Sequence, residues 1–239
     1  MKIATLLASI LLTSLTFGFD QEHTSFTELL QKHVKPNGVN YKSLKSDKDK
    51  LEQYLKDLEK VSVSEINDWS GYQQLSYFIN LYNAATLNLV LENYPISSFK
   101  DEVGGDNGPW KLPIVKTLGK TYTLDQIEHE LIRKNYAEPR IHFALNCASA
   151  GCPPLRNEAF ISVKLAEQLT EQTKNFLADK KTNNYSNGTL TLSPIFDWFK
   201  DDFIKSSGTV QSFVDPFFKE DTSKATIKYS DYGWSLNEA

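Results

Sequence analysis

The chain has 239 residues, of which 40% are hydrophobic and 23% are charged, as is ordinary for a globular protein. These proportions exclude a disordered chain, a collagen-like repeat and a disulfide-dense scaffold. The 26 Lys and Arg residues against 30 Asp and Glu residues give a net charge of −4. Because this charge offers no basic excess, we expect no nucleic acid partner.

Residues 1–19 have the pattern of a secretory signal peptide. Lys2 precedes an apolar run from Ile3 to Leu12, which is short of the about 20 residues that a membrane span needs. We therefore predict cleavage near residues 18–20 and a mature chain, residues 20–239, that lies outside the cytoplasm, in the periplasm or secreted. No other segment is long and apolar enough, so we predict no membrane span in the mature protein.

Apolar residues recur with helical spacing in the N-terminal half of the chain. The predicted helices cover residues 26–34, 49–61, 70–93 and 124–134. The helix over residues 70–93 has the strongest pattern, and Pro95 marks its end. Thr123 is the expected N-cap of the helix that follows, because polar residues fill the first turn after it.

The rest of the chain mixes short strands with helices. Ile141, Phe143 and Leu145 alternate with other residues, which predicts a strand over residues 140–147. Further strands are predicted over 189–192 and 225–229, a hairpin over 114–122, a turn over 183–188, and helices over 163–178, 193–205 and 210–218. Because these elements follow no βαβ order, we predict the α+β class: one helix-rich domain, residues 20–239, with a small and mainly antiparallel sheet.

Residues with useful chemistry concentrate around two cysteines. The candidate catalytic residues are Cys147, His129, His142, Asn80, Asn83 and Glu128. His142 comes five residues before Cys147, and His129 follows Glu128 on the predicted helix 124–134. Asn80 and Asn83 are three residues apart, so they share one face of the long helix.

Several spaced segments resemble an uncharacterised family known as domain of unknown function 547. They are residues 78–84, 127–129, 139–147, 151–153, 195–199 and 232–237, so the resemblance covers roughly residues 38–237. It implies that Cys147 is a family feature and Cys152 a subfamily one, because plant members have the first Cys but, in many cases, Ser at the position of Cys152. A more distant likeness to papain-like and transglutaminase-like thiol folds would place a nucleophile on a helix, where this chain has Asn80 and Asn83.

Cys147 and Cys152 allow three interpretations. In an oxidising compartment, two cysteines five positions apart can form a disulfide across the turn at Gly151. Alternatively, Cys147 is a free thiolate nucleophile, which needs a neighbouring His or a helix N-terminus. A third alternative is a zinc site that combines both cysteines with His129 or His142, although we expect no cofactor.

The predicted geometry favours His129 over His142 as the base for Cys147. On a strand, His142 and Cys147 would point to opposite faces. Asn80 and Asn83 have two possible roles. Their side chains either orient a His or stabilise an oxyanion, or they tie the long helix to a loop. Two further expectations are a salt bridge from Glu128 to Arg133 or Arg140, and packing or anchoring roles for Trp198, Trp234 and Asn237.

Two functions of different classes follow from these residues. The first is a secreted thiol-dependent hydrolase or acyl-transferase, in which Cys147 attacks an acyl carbon and a His moves the proton. The alternative is a non-catalytic, disulfide-stapled binding or scaffold domain outside the cytoplasm. In both cases the expected partner is an unknown small molecule or peptide.

Overall fold

Helices make up most of the regular structure in residues 18–239, the part of the chain that the computed structural model describes. In chain order they are α1 (Thr24–His33), α2 (Tyr41–Leu44), α3 (Lys48–Glu59), α4 (Val63–Asn67), α5 (Gly71–Asn93), α6 (Phe99–Glu102), α7 (Leu124–Gln126), α8 (Leu165–Ala178), α9 (Ile195–Trp198), α10 (Lys200–Ser207) and α11 (Val210–Val214). Short 3₁₀ helices cover Lys45–Asp47, Gly105–Asn107, Pro109–Lys111, Pro139–Phe143 and Asp215–Phe217. The predicted signal peptide lies outside the described residues except for Gly18 and Phe19, so it stays a prediction.

The strands are short and form small sheets. They are β1 (Val34–Lys35), β2 (Gly38–Val39), β3 (Val115–Thr117), β4 (Lys120–Tyr122), β5 (Asn184–Ser186), β6 (Thr189–Leu192) and β7 (Thr226–Tyr229). The pairs β1–β2, β3–β4 and β5–β6 are antiparallel, whereas β6 and β7 are parallel, with Leu190 opposite Ile227. The predicted class, α+β and rich in helix, is confirmed.

Helix α5 forms the centre of the larger hydrophobic core. A capping box starts it: the Ser70 hydroxyl accepts a hydrogen bond from the Gln73 backbone N–H, and the Gln73 side chain accepts one from the Ser70 N–H. The helix is buried almost all round from Leu75 to Leu91. Such a helix has no solvent face, so the polar residues on it need partners inside the protein.

The segment that carries Glu128 and His129 begins as predicted but changes its winding. Thr123 caps it with a second capping box, formed with Gln126. After α7 the chain continues as a π-helix over Ile127–Arg133. Because π-helical turns are rare and are frequently found at functional sites, this segment is a notable place for two candidate residues.

The strand predicted over residues 140–147 is wrong. The chain forms a 3₁₀ helix over Pro139–Phe143 and then irregular backbone up to Cys147. The apolar alternation misled the prediction because all residues from Ile141 to Asn146 are buried, so neither parity faces solvent. The backbone here also has other partners than a strand, since Asn83 binds both the Ala144 carbonyl and the Asn146 N–H.

Two other predictions in the C-terminal half need smaller corrections. The helix predicted over residues 193–205 is interrupted at Phe199, between α9 and α10. The segment 183–188, predicted as a turn, contains strand β5. A second hydrophobic core lies in this half, with Phe143, Phe196, Phe203 and Phe213 among its buried residues. No helix within residues 18–239 combines the length and the apolar character that crossing a bilayer requires.

The end of the chain, residues 232–239, lies along the cysteine loop, residues 147–152, and we call it the C-terminal strap. Backbone hydrogen bonds join the two segments at Ala148, Ala150 and Gly151. A Cβ atom at Gly151 would lie 2.9 Å from the Gly233 nitrogen and 3.0 Å from the Tyr232 ring, so only glycine fits there. The strap therefore holds the loop closely and fixes where Tyr232 lies.

Candidate functional site

Most of the candidate residues converge on one cavity of about 420 Å³. Its polar wall is formed by Asp125, Glu128, His129, Arg133 and His142. Its aromatic lining residues, which we call the aromatic wall, are Tyr82, Trp110, Trp198, Phe199, Tyr232 and Trp234. Cys147, Cys152 and Pro153 also line the cavity. The structure thus brings together Glu128 and His129 from a π-helix, His142 from a 3₁₀ helix and Cys147 from an irregular loop.

His142 is the most buried member of the polar wall. Its Nε2 atom lies 2.8 Å from Asp202 Oδ2, and its ring stacks on Phe199 with the ring centres 3.8 Å apart. Burial lowers the pKa of His142, and the Asp202 carboxylate offsets this only in part, so the ring is neutral at pH 7. Because Asp202 accepts the Nε2 proton, the Nδ1 atom is an acceptor, and it faces Glu128 Oε1 at 3.9 Å.

Arg133 links the carboxylate of this pair to the second histidine. Its Nε and Nη2 atoms donate to the two oxygens of Asp202 at 2.7 and 3.1 Å, and its Nη1 lies 3.1 Å from His129 Nδ1. Burial opposes ionisation of Asp202, but hydrogen bonds from His142 and Arg133 outweigh it and hold the pKa of this carboxyl well below its usual range. Burial and the charge of Arg133 lower the pKa of His129.

Glu128 is the unusual acid of the cavity. Burial raises the pKa of its carboxyl group to about 7; the charge of Arg133 acts against this rise, while those of Asp125 and Asp202 add to it. The salt bridge expected from Glu128 to Arg133 or Arg140 is wrong, because Arg133 pairs with Asp202 and Arg140 with Glu138. Glu128 can therefore gain or lose a proton near neutral pH, inside a cavity.

The two cysteines form a disulfide, and both line the cavity. Cys147 is partly exposed and Cys152 is 9% exposed. The Cys147 backbone N–H donates to Cys152 Sγ at 2.8 Å, and Cys147 Sγ lies 3.2 Å from the Tyr232 hydroxyl. The sequence prediction placed His142 and Cys147 on opposite faces of a strand. Because that strand does not form, this prediction is wrong, and both residues line the cavity.

Asn80 and Asn83 lie outside the cavity lining and have structural partners. The Asn80 amide donates to the Phe160 carbonyl at 2.7 Å and accepts from the Phe160 N–H at 2.9 Å. The Asn83 amide donates to the Ala144 carbonyl at 2.9 Å and accepts from the Asn146 N–H at 2.8 Å. Both side chains are used up on backbone groups, so neither is placed to orient a His or an oxyanion.

Most of the aromatic wall comes from the C-terminal third of the chain. The ring centres of Trp198, Tyr232 and Trp234 lie 4.6 to 5.8 Å from one another. Trp198 is 48% exposed, an unusual fraction for a Trp with a purely packing role. Lys100 places its ammonium group 4.1 Å from the Trp234 ring centre. Both Trp residues, interpreted from sequence as packing residues, thus border the cavity.

Asp202 and Tyr232 are site residues that the sequence did not reveal. Asp202 lies in a charged run on α10, and nothing distinguishes it there from Asp201. Tyr232 belongs to one of the segments of the family resemblance, which is the signal that could have drawn attention to it. Asn237, from the same segment, ties the strap to Tyr41 and Asn146 through its side chain.

Two other findings bear on where the site lies. A larger cavity, about 630 Å³, is lined by Gly18 and Phe19, the first described residues, and by none of the candidate residues. Within residues 18–239, no group of three or more His, Cys, Asp or Glu side chains is arranged to hold a metal ion. We take the smaller of these two cavities as the candidate site, because Glu128, two histidines and both cysteines line it together with the aromatic wall.

Fold and site together define a helix-rich α+β protein with one polar and aromatic cavity beside a disulfide. Residues 66–177 match the model of a family described as protein of unknown function, DUF547. This match confirms the resemblance over that segment, which carries the whole polar wall and both cysteines. No curated protein and no solved structure matches the chain.

Proposed function

We propose that the protein is a ligand-binding domain that works outside the cytoplasm, with its ligand in the cavity between the polar and aromatic walls. The observation that carries this proposal is the convergence of Glu128, His129 and His142 with six aromatic side chains around one cavity. Apolar walls with a few convergent polar groups are typical of small-molecule sites, and about 420 Å³ is within their usual range. The ligand is a small molecule or a short part of a peptide.

The character of the walls suggests what the ligand offers. The aromatic faces favour a flat or apolar part of the ligand, or a cation. Glu128, with a pKa of about 7, can donate a hydrogen bond when protonated and accept one when ionised. The histidines are neutral and the charge of Arg133 is paired with that of Asp202, so these residues are not arranged for a strongly anionic ligand.

Native mass spectrometry of the protein purified from its own host tests this proposal. We expect a small molecule to copurify with the wild-type protein and to be lost from Trp198→Ala, because this side chain forms part of the wall and is exposed enough to be removed without unfolding. Tyr72→Ala is the matched control, since Tyr72 is an exposed aromatic residue away from the cavity. Equal retention of the molecule by both variants would count against the cavity as its site.

The proposed location outside the cytoplasm rests on the signal pattern and on the disulfide, which persists in oxidising compartments. Phe19 refines the proposed cleavage point. Its ring packs near His23, Trp69 and Tyr77, and its backbone nitrogen lies 3.2 Å from Glu65 Oε1. Cleavage just before Phe19 would keep these contacts and would place the new terminal ammonium group beside a carboxylate.

We expect the exported protein to begin at Phe19. N-terminal sequencing of the protein from its native host measures this directly. A sequence beginning at Met1 would contradict export by signal-peptide cleavage. A start at Asp20 or later would support export but contradict the role proposed for Phe19.

A thiol-dependent hydrolase or acyl-transferase is the second candidate function, favoured by the presence of Cys147 in the same cavity as His129 and His142. This function needs a free thiol, and the disulfide occupies Cys147. It also needs a base, whereas His142 faces Asp202 and Glu128, and Arg133 occupies the Nδ1 atom of His129. Activity toward an activated ester that appears only after reduction and disappears in Cys147→Ser would favour this candidate over simple binding.

A further inference from the structure

We infer that the Cys147–Cys152 disulfide is an exchanging one: a low-molecular-weight thiol entering the cavity attacks Cys147 Sγ and reduces the bond while the protein stays folded. The inference stands apart from the proposed ligand, because it depends on the disulfide and its surroundings alone. It gives the protein a thiol–disulfide exchange activity in addition to binding.

The position of the two sulfur atoms supports attack at Cys147. Both residues line the cavity, and Cys147 is the more exposed residue of the two, so we assign the attack of the entering thiolate to its sulfur. Cys152, 9% exposed, is then the leaving group. The Cys147 backbone N–H, 2.8 Å from Cys152 Sγ, donates a hydrogen bond to the thiolate that leaves.

The Tyr232 hydroxyl is the second group that assists the exchange. It lies 3.2 Å from Cys147 Sγ. Burial, with the nearby charge of Glu128, raises the pKa of this phenol well above its usual value, so Tyr232 stays protonated and can donate to sulfur. The close contact between Gly151 and the Tyr232 ring holds the hydroxyl in place.

The exchange proceeds in two balanced steps. In the first, the thiolate forms a bond to Cys147 Sγ, the Cys147–Cys152 bond breaks, and its electron pair leaves on Cys152. In the second, another thiol of the same kind attacks the external sulfur of the mixed disulfide and releases Cys147 as a thiolate. Two external thiols are thereby oxidised to a disulfide and the protein gains two electrons; protons are exchanged with water.

The loop keeps its shape by other means than the disulfide, which is what exchange without unfolding requires. The Asn146 side chain donates to the Pro153 carbonyl at 3.0 Å and accepts from the Ala148 N–H at 3.0 Å, so it spans the loop from one side to the other. The Asn237 side chain donates to the same Asn146 oxygen, and the backbone of the strap adds further bonds.

Reduction of the wild-type protein by reduced glutathione, followed by alkylation and intact mass, tests the inference without any substitution. We expect two free thiols to appear under native conditions, with an unchanged far-UV circular dichroism spectrum and a rate that does not respond to low urea. If the bond opens only when the chain unfolds, the rate will rise steeply with urea from the first addition, and the inference is wrong.

Single-cysteine variants identify the sulfur that reacts. With oxidised glutathione, Cys152→Ser should form a mixed disulfide at Cys147 much faster than Cys147→Ser forms one at Cys152. Tyr232→Phe in the Cys152→Ser background should slow the reaction several-fold, whereas Tyr229→Phe, an exposed tyrosine on β7, should not. Equal rates at the two cysteines, or equal effects of the two tyrosine substitutions, would contradict the proposed geometry.

Discussion

The Glu128→Gln variant should be more stable than the wild-type protein at high pH and should lose this advantage at low pH. Burial raises the pKa of Glu128 from 4.5 to about 7 in the folded protein. The folded state therefore holds a proton that the unfolded state releases between these values. Wild-type stability falls as the pH rises through this window, because folding must then bury a carboxylate.

The size of this effect follows from the shift in pKa. A rise in the pKa of Glu128 from 4.5 to about 7 corresponds to about 3 kcal/mol. The free energy of unfolding of the wild-type protein should therefore fall by this amount as the pH rises from about 4 to about 8. Gln cannot ionise, so the difference in stability between variant and wild type should grow by this amount over that range. Glu130→Gln, an exposed carboxyl on the same π-helix, is the matched control and should show a flat difference.

Urea unfolding of all three proteins at several pH values measures both differences. Titrations of Asp202, His129 and His142 occur in wild type and variants alike, so they largely cancel. A difference between Glu128→Gln and wild type that stays constant from pH 4 to pH 8 would mean that Glu128 has an ordinary acidity, and that the cavity lacks its acid–base group.

Asn83→Ala should be one of the most destabilising substitutions of a polar residue in this protein. The Asn83 side chain is 2% exposed and pairs with the Ala144 carbonyl and the Asn146 N–H. Its removal leaves both backbone groups buried without a partner, at about 2 to 4 kcal/mol of unfolding free energy in total. The same substitution should also loosen the segment that leads to Cys147.

The control for this prediction lies on the same helix. Asn93 is exposed at the C-terminal end of α5, so Asn93→Ala should change stability by no more than about 0.5 kcal/mol. Thermal and urea unfolding of the two variants provide the comparison. If Asn83→Ala unfolds at the wild-type midpoint, then Asn83 is free for a role in binding or catalysis, and the structural role given to it here is wrong.

Local signals in the sequence predicted the helices well. Ser70 and Thr123 each cap a helix with the residue three positions further along, so the information lies within a few residues. The segment 140–147 was mispredicted because its conformation depends on Asn83, which lies 61 and 63 residues away from its two backbone partners. Apolar alternation cannot distinguish a half-buried strand from a fully buried irregular segment.

Part of the candidate site could also be predicted from the sequence. The sequence alone singled out Glu128, His129, His142 and Cys147, because His and Cys are rare in this chain and these residues lie near one another along it. Asp202 contacts His142, and Tyr232 contacts Cys147, from 60 and 85 residues further along the chain, and only the folded chain reveals these contacts. The aromatic wall was hidden because aromatic residues are common throughout this sequence, with 14 Phe, 11 Tyr and 4 Trp.

The most direct measurement is a crystal structure of the protein with the small molecule that copurifies with it. We expect its electron density in the cavity of about 420 Å³, against the rings of Trp198 and Tyr232 and within hydrogen-bond distance of Glu128. Density in the larger cavity beside Phe19 and Tyr54, with the space at Glu128 filled by solvent, would contradict the proposal that the polar and aromatic walls form the binding site.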